Sequence, residues 1–183
     1  TGTASQLAST SKFNANNDDN AYVGYMYGTA GASTYDATHA NTNNSTIKTV
    51  IDAWYASNMT AYTSYLEDTV WCNDRSLSTT GNSGTGAGTS VTYYGAHGRV
   101  YNSNPQPSLS CVNANDRFTV STSNGNGVLT YPVGLLTADE ATIAGSGLNV
   151  YSTSSYLYTG QYWWLGSPSF FNGFYACELD KDY

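Results

Sequence analysis

The sequence predicts an α+β domain in which two helices lie on small, twisted antiparallel sheets joined by long irregular loops. Ile47, Val50, Ile51 and Trp54 recur at i, i+3, i+4 and i+7, the spacing of one apolar helix face. Several short runs rich in Val, Thr, Tyr and Trp end at Gly, Asn or Pro, as strands do. The stretches between them are Ser, Thr, Asn and Gly, too permissive to pack alone. At 183 residues the chain is expected to form a single domain over 1–183, large enough to bury about two thirds of its unfolded surface.

Residues 1–20 are expected to be a polar arm ending in the run Asn14 to Asn20. That run holds two Asp but lacks the central Gly and terminal Glu of an EF-hand loop, so a solvated turn is expected. Tyr22 to Tyr27 reads as a strand stopped by Gly28. A helix capped by Asn44 or Ser45 follows and ends at Ser57-Asn58. Met59, Tyr62, Tyr65 and Leu66 mark a shorter helical stretch. Thr69 to Cys72 is a short strand, 78–90 a surface loop, and Val91 to Tyr94 a brief strand. Pro105 and Pro107 mark an irregular connection. Arg117 to Val120 and Val128 to Tyr131 suggest a hairpin turning at Asn124 to Gly127. Thr137 and Glu140 have the spacing of a capping box, so a helix is expected to about Ala144, stopped by Gly145. Tyr162 to Leu165 is a strand expected to end at Gly166-Ser167-Pro168, with Tyr162 and Trp164 on one face and Trp163 and Leu165 on the other.

Composition narrows the setting. Charged residues are 10% of the chain, against about a quarter in ordinary globular domains. A surface of hydroxyls, amides and phenols is common outside the cell, so an extracellular or cell-surface location is expected. The 17 Tyr and 4 Trp supply enough apolar bulk for a folded core and argue against disorder. The net charge of −7, with only 6 Lys and Arg, speaks against nucleic acid and against anionic membranes as partners. No apolar run reaches the roughly 18 residues of a spanning helix. The chain opens on Thr1-Gly2-Thr3, and a processed piece whose anchor has been removed is expected.

Cys72 and Cys111 are expected to form a disulfide; two buried thiols are the alternative. Cys177 would then be left over. The motif Asn-Asp-Arg occurs twice, at Asn73 to Arg75 and Asn115 to Arg117, each shortly after a cysteine. In so uncharged a chain, Asp74, Arg75, Asp116 and Arg117 are expected to build a buried or half-buried polar network; a ligand site is the alternative. The carboxylate neighbours Asp18/Asp19, Glu67/Asp68 and Asp139/Glu140 point in different directions on any regular element, which disfavours acid–base catalysis. His39 and His97 sit in no metal-ligand spacing, and no nucleophile elbow or phosphate-binding loop is present. No cofactor, no metal and no enzymatic activity are expected.

The C-terminal stretch carries the functional signal. Tyr162, Trp164, Phe170, Phe171, Phe174 and Tyr175 are interleaved with small polar residues such as Ser169 and Asn172. Rings backed by Gly, Ser and Asn make a rigid contact surface of low entropy cost. These eight residues are the expected ligand-binding set, with 169–175 as an aromatic loop.

The segment Leu135 to Glu140, followed by Tyr158 to Pro168, resembles C-type-lectin-like domains of surface and prepilin-like proteins from Gram-positive gut bacteria and their phages. Ile51 to Tyr55 and Cys72 to Ser76 fit the same group, and the Trp-Leu-x-Ser-Pro element is its distinctive part. The group is similar in fold to the formylglycine-generating-enzyme branch and to variable proteins of diversity-generating retroelements. That resemblance implies a displayed face on the last strands and loops, variable at positions matching Ser169, Phe170, Phe171, Phe174, Tyr175 and Cys177. The family closes with a further C-terminal strand around a Gly-x-Arg-Pro-Val-like element. This chain lacks that element, which leaves the completeness of the domain open, and it also lacks the enzyme branch's cysteine arrangement. The expected function is binding of a cell-surface or environmental ligand, protein or glycan. A pilin-like subunit that self-assembles into a filament is the alternative.

Overall fold

A computed structural model describes residues 10–101, 104–146, 155–158 and 161–181. Residues 1–9 of the expected arm lie outside them. In chain order the elements are β1 (Met26–Tyr27), α1 (Tyr35–Thr38), β2 (Asn43–Asn44), α2 (Thr46–Asn58), β3 (Trp71–Cys72) and β4 (Thr92–Tyr93). They continue with α3 (Gly95–Val100), β5 (Arg117–Phe118), α4 (Ala138–Ile143), β6 (Trp163–Phe171) and β7 (Ala176–Lys181). All strand pairing is antiparallel, β1 with β2, β3 with β5, and β4-β6-β7 as the largest sheet. Helices on small antiparallel sheets make this an α+β fold.

The long helix forms where the apolar stripe predicts it. Ser45 caps α2 by accepting from the Lys48 amide at 3.1 Å. The Ile47 amide donates to the Phe13 carbonyl, which ties the N-terminal segment to the helix start. The stretch after α2 is a 3-10 turn over Thr60–Tyr65. Thr137 and Glu140 form the expected capping box at α4, and Gly145 follows at φ +83°.

Strand β6 separates two apolar clusters. Trp164 packs with Phe13, Tyr25, Met26, Ile47, Phe118 and Leu129. Trp163 and Leu165 join Ala96, Val100, Ala138, Ala141 and Leu179. This is the alternation of faces expected of a strand buried on both sides.

Several expectations are corrected. Strand β6 does not end at Pro168 but runs through it, because register shifts on either side of Pro168 spare the missing amide a ladder position. Residues 169–171 are therefore strand, not loop. A further strand, β7, follows and pairs with β6. The Tyr22 to Tyr27 strand shrinks to β1. A 3-10 turn over Asn20–Tyr22 precedes it, and Gly24 at φ +113° breaks the extended path. The 117–131 hairpin is not a ladder. β5 pairs with β3 instead, and the second arm touches it through the Leu129 amide bonded to the Thr119 carbonyl. The Asn14 to Asn20 run is not wholly solvated either. Asp19 and Asn20 are buried, and the Asn20 amide donates to the Gly88 and Ser90 carbonyls at 2.8 Å each, which pins the end of the 78–90 loop. Helix α3 was not anticipated.

Candidate recognition face on the C-terminal hairpin

The charged residues are spent on scaffolding. Arg75 is fully enclosed. Its Nε donates to Asp116 Oδ1 at 2.7 Å and its Nη2 approaches the same oxygen at 2.6 Å. Nη1 donates to the Met26 carbonyl at 2.9 Å, and Nη2 to Asn41 Oδ1 at 3.0 Å. Asp74 belongs to a second cluster, accepting from Arg99 Nη2 at 2.7 Å. Arg99 also forks onto Asp139, with Nε to Oδ1 at 2.9 Å and Nη2 to Oδ2 at 2.8 Å. The hydrogen bonds to Asp139 and then Asp74 hold the Arg99 guanidinium well above its ordinary value, against the opposing effect of its burial. The expected four-residue network is thus two networks. Arg117 takes no part in an ion pair among the described residues: it is exposed and donates to the Cys111 carbonyl at 2.9 Å. The Cys72–Cys111 disulfide is present beside both clusters.

A cleft of about 160 Å³ lies between Val70, Leu109, Thr137 and the Asp74–Arg99–Asp139 cluster. Its carboxylates are occupied: Asp139 also accepts from the Ser108 amide, Asp74 from the Ser76 amide, and Glu140 closes the capping box.

The C-terminal hairpin is built differently. Asn172 Oδ1 accepts from the Phe174 and Tyr175 amides at 2.9 and 3.0 Å, and Gly173 adopts φ +95°. This local hydrogen bonding fixes the turn. Phe174 projects from it 82% exposed and Tyr175 46% exposed. Across the sheet, Thr92, Phe171 and Ala176 are in register, as are Tyr93, Phe170 and Cys177. The first row faces inward, with Thr92 and Phe171 at 0% exposure. The second is half-buried under α3. Tyr93 and Phe170 stack at 5.5 Å, His97 meets both edge-on, and Tyr101 stacks on His97 at 5.1 Å with its own ring largely exposed. Ser169 Oγ pairs with His97 Nδ1 at 2.9 Å, and burial lowers the imidazole below its ordinary value.

The eight expected ligand-binding residues therefore separate. Phe174 and Tyr175 form the exposed tip, Asn172 braces it, and Phe170 joins the aromatic stack behind it. Phe171 and Ser169 are buried and cannot present a face; the strand continuing past Pro168 turns them into the scaffold. Trp164 is likewise structural. Its ring packs edge-on to Phe13 at 5.7 Å, and Nε1 donates to the Ser11 carbonyl at 3.0 Å. Tyr162 is exposed, but at the other end of β6, on the order of 25 Å away at the usual rise per residue. Sequence reasoning missed Tyr93, His97 and Tyr101, although their i, i+4, i+8 spacing is a helical aromatic stripe that leads into α3.

Compared with protein-family models, curated proteins and solved structures, the chain finds no match.

Proposed function

We propose that the chain is an extracellular recognition module of C-type-lectin-like architecture, not an enzyme, that binds a cell-surface or environmental protein or glycan through its C-terminal hairpin tip. Phe174 and Tyr175 are the contact residues. The observation that carries the reading is Phe174: a large apolar ring held in solvent by a turn that Asn172 braces internally. Holding such a ring in water has no benefit for folding, whereas a pre-ordered aromatic anchor loses little entropy on binding. The architecture is supported by β6, where the Trp164-Leu165-Gly166-Ser167-Pro168 element lies on the central strand of the three-stranded sheet and pairs with β7. The location is supported by the disulfide and the sparse charge. Among the described residues no helix is long and apolar enough to cross a membrane. The engagement of Asp74, Asp139 and Glu140 in scaffolding supports the non-catalytic reading.

The test is binding of the labelled chain to immobilised glycan and extracellular-protein arrays, with Tyr65→Ala as control. Tyr65 is 84% exposed but sits on the 3-10 turn after α2. Loss of the array signal in Phe174→Ala with retention in Tyr65→Ala is expected. Equal loss in both would reduce the tip to general surface stickiness.

A further inference from the structure

Strand β7 carries a carboxyl, Glu178, that the scaffold satisfies only in part. Glu178 as a residue is half-buried, but its head group points inward. Oε1 accepts from the Gly24 amide at 2.7 Å, and Oε2 is enclosed with no hydrogen-bond partner. The Gly24 backbone has little freedom to adjust. The next amide, Tyr25, donates to Asn73 Oδ1 at 2.7 Å, and a Cβ on Gly24 would stand 2.5 Å from that oxygen, so the segment lies close against Asn73.

We propose that Glu178 is a proton-linked latch on the recognition hairpin: its enclosed head group is accommodated uncharged against the Gly24 segment, and ionising it there, with one oxygen unpartnered, loosens β7.

The surrounding groups stabilise the ionised form only in part. Arg75 is the cation that faces the site, and its guanidinium is shared among Asp116, Asn41 and the Met26 carbonyl. Tyr94 faces it from the end of β4 with its hydroxyl donated to Asn20 Oδ1 at 2.8 Å, and burial holds that phenol well above its ordinary value. Behind Tyr94 lie His39, edge-on at 6.2 Å, and Tyr35; Asp19 and Asp116 add only negative charge. His39 is kept neutral, pushed down to about 3 by burial and then by Arg75. An ionised carboxylate with one amide partner in such a place is unfavourable. Burial accordingly pushes Glu178 up to about 8, against the Gly24 amide and Arg75.

The sign follows from linkage. The unfolded chain releases this proton near 4.5, whereas the folded chain holds it to about 8. The latch is therefore fully fastened below the lower value and released as pH rises through the upper one, with the opening equilibrium shifting by up to about tenfold per pH unit between them. His39 and His97 oppose this trend below 6.5, since both are lowered in the fold. The clean window lies between about 6.5 and about 8.

Hydrogen exchange of the β7 amides in the full chain tests the latch without any ligand. Corrected for intrinsic exchange, wild-type protection should fall by about tenfold per pH unit across that window. Glu178→Gln and Glu178→Leu should each remove the slope, whatever they do to absolute stability. A wild-type slope no steeper than that of both variants would overturn the proposal. The consequence for binding rests on the recognition reading, but the two fail separately: Phe174→Ala should abolish array binding and leave the slope intact.

Discussion

The buried hub around Arg75 and the hairpin tip invert the usual distribution of side chains. The hub places a guanidinium and a carboxylate where no water reaches, and the tip places a phenyl ring in solvent. In a chain with 6 basic residues, Arg75 and Arg99 are committed to buried acids, so the charges serve as internal rivets. In the proposed reading, surface recognition is left to rings on a polar backbone. The difference teaches how charge and aromaticity divide: charge sets the scaffold, and exposed rings are left for the proposed contact face.

The largest way to break that comparison is Asp116→Ala. It strands Arg75 with its main partner gone and should cost about 3–5 kcal/mol in urea unfolding. A cost near that of an exposed ion pair would mean that the hub is solvated. Phe171→Ala sharpens the contrast within one hairpin. Its ring is enclosed, and truncation should cost about 3–5 kcal/mol, whereas Phe174→Ala three residues on should stay within about 0.5 kcal/mol. Opening the Cys72–Cys111 bridge by double Ser substitution should lower stability by about 2–4 kcal/mol, read from the thermal midpoint, without altering the tip. Acid should act on the His39 side of the hub. Because His39 is lowered to about 3 in the fold, its contribution is complete above its ordinary 6.5 and is lost as pH falls toward 3. His39→Phe should flatten that part of the stability profile by up to about tenfold per pH unit in the folding equilibrium.

Local rules made parts of this legible. The spacing of Ile47, Val50, Ile51 and Trp54 located α2, and Thr137 with Glu140 located α4 and its cap, because both signals lie within one or two turns. The disulfide and a buried Asp–Arg network were legible from a scarcity of charge. The exchange of partners, Arg75 with Asp116 and Asp74 with Arg99, was not, since it depends on how β3, β5 and α3 come together. Pro168 misled as a strand stop because a bulge can absorb a proline, and only pairing with β7 reveals the bulge. That one error placed Phe171 and Ser169 in a loop and gave them a binding role. Exposure of Phe174 and Tyr175 was legible because so many rings interleaved with small polar residues are hard to bury together.

The central claim is that the tip rings are held in solvent for contact and not for folding. A Phe174→Ala/Tyr175→Ala double variant measures it most directly, with thermal unfolding and array binding recorded on the same preparation. The account predicts a stability change within about 1 kcal/mol and complete loss of array signal. Unchanged binding, or a stability loss as large as that of Phe171→Ala, would contradict it.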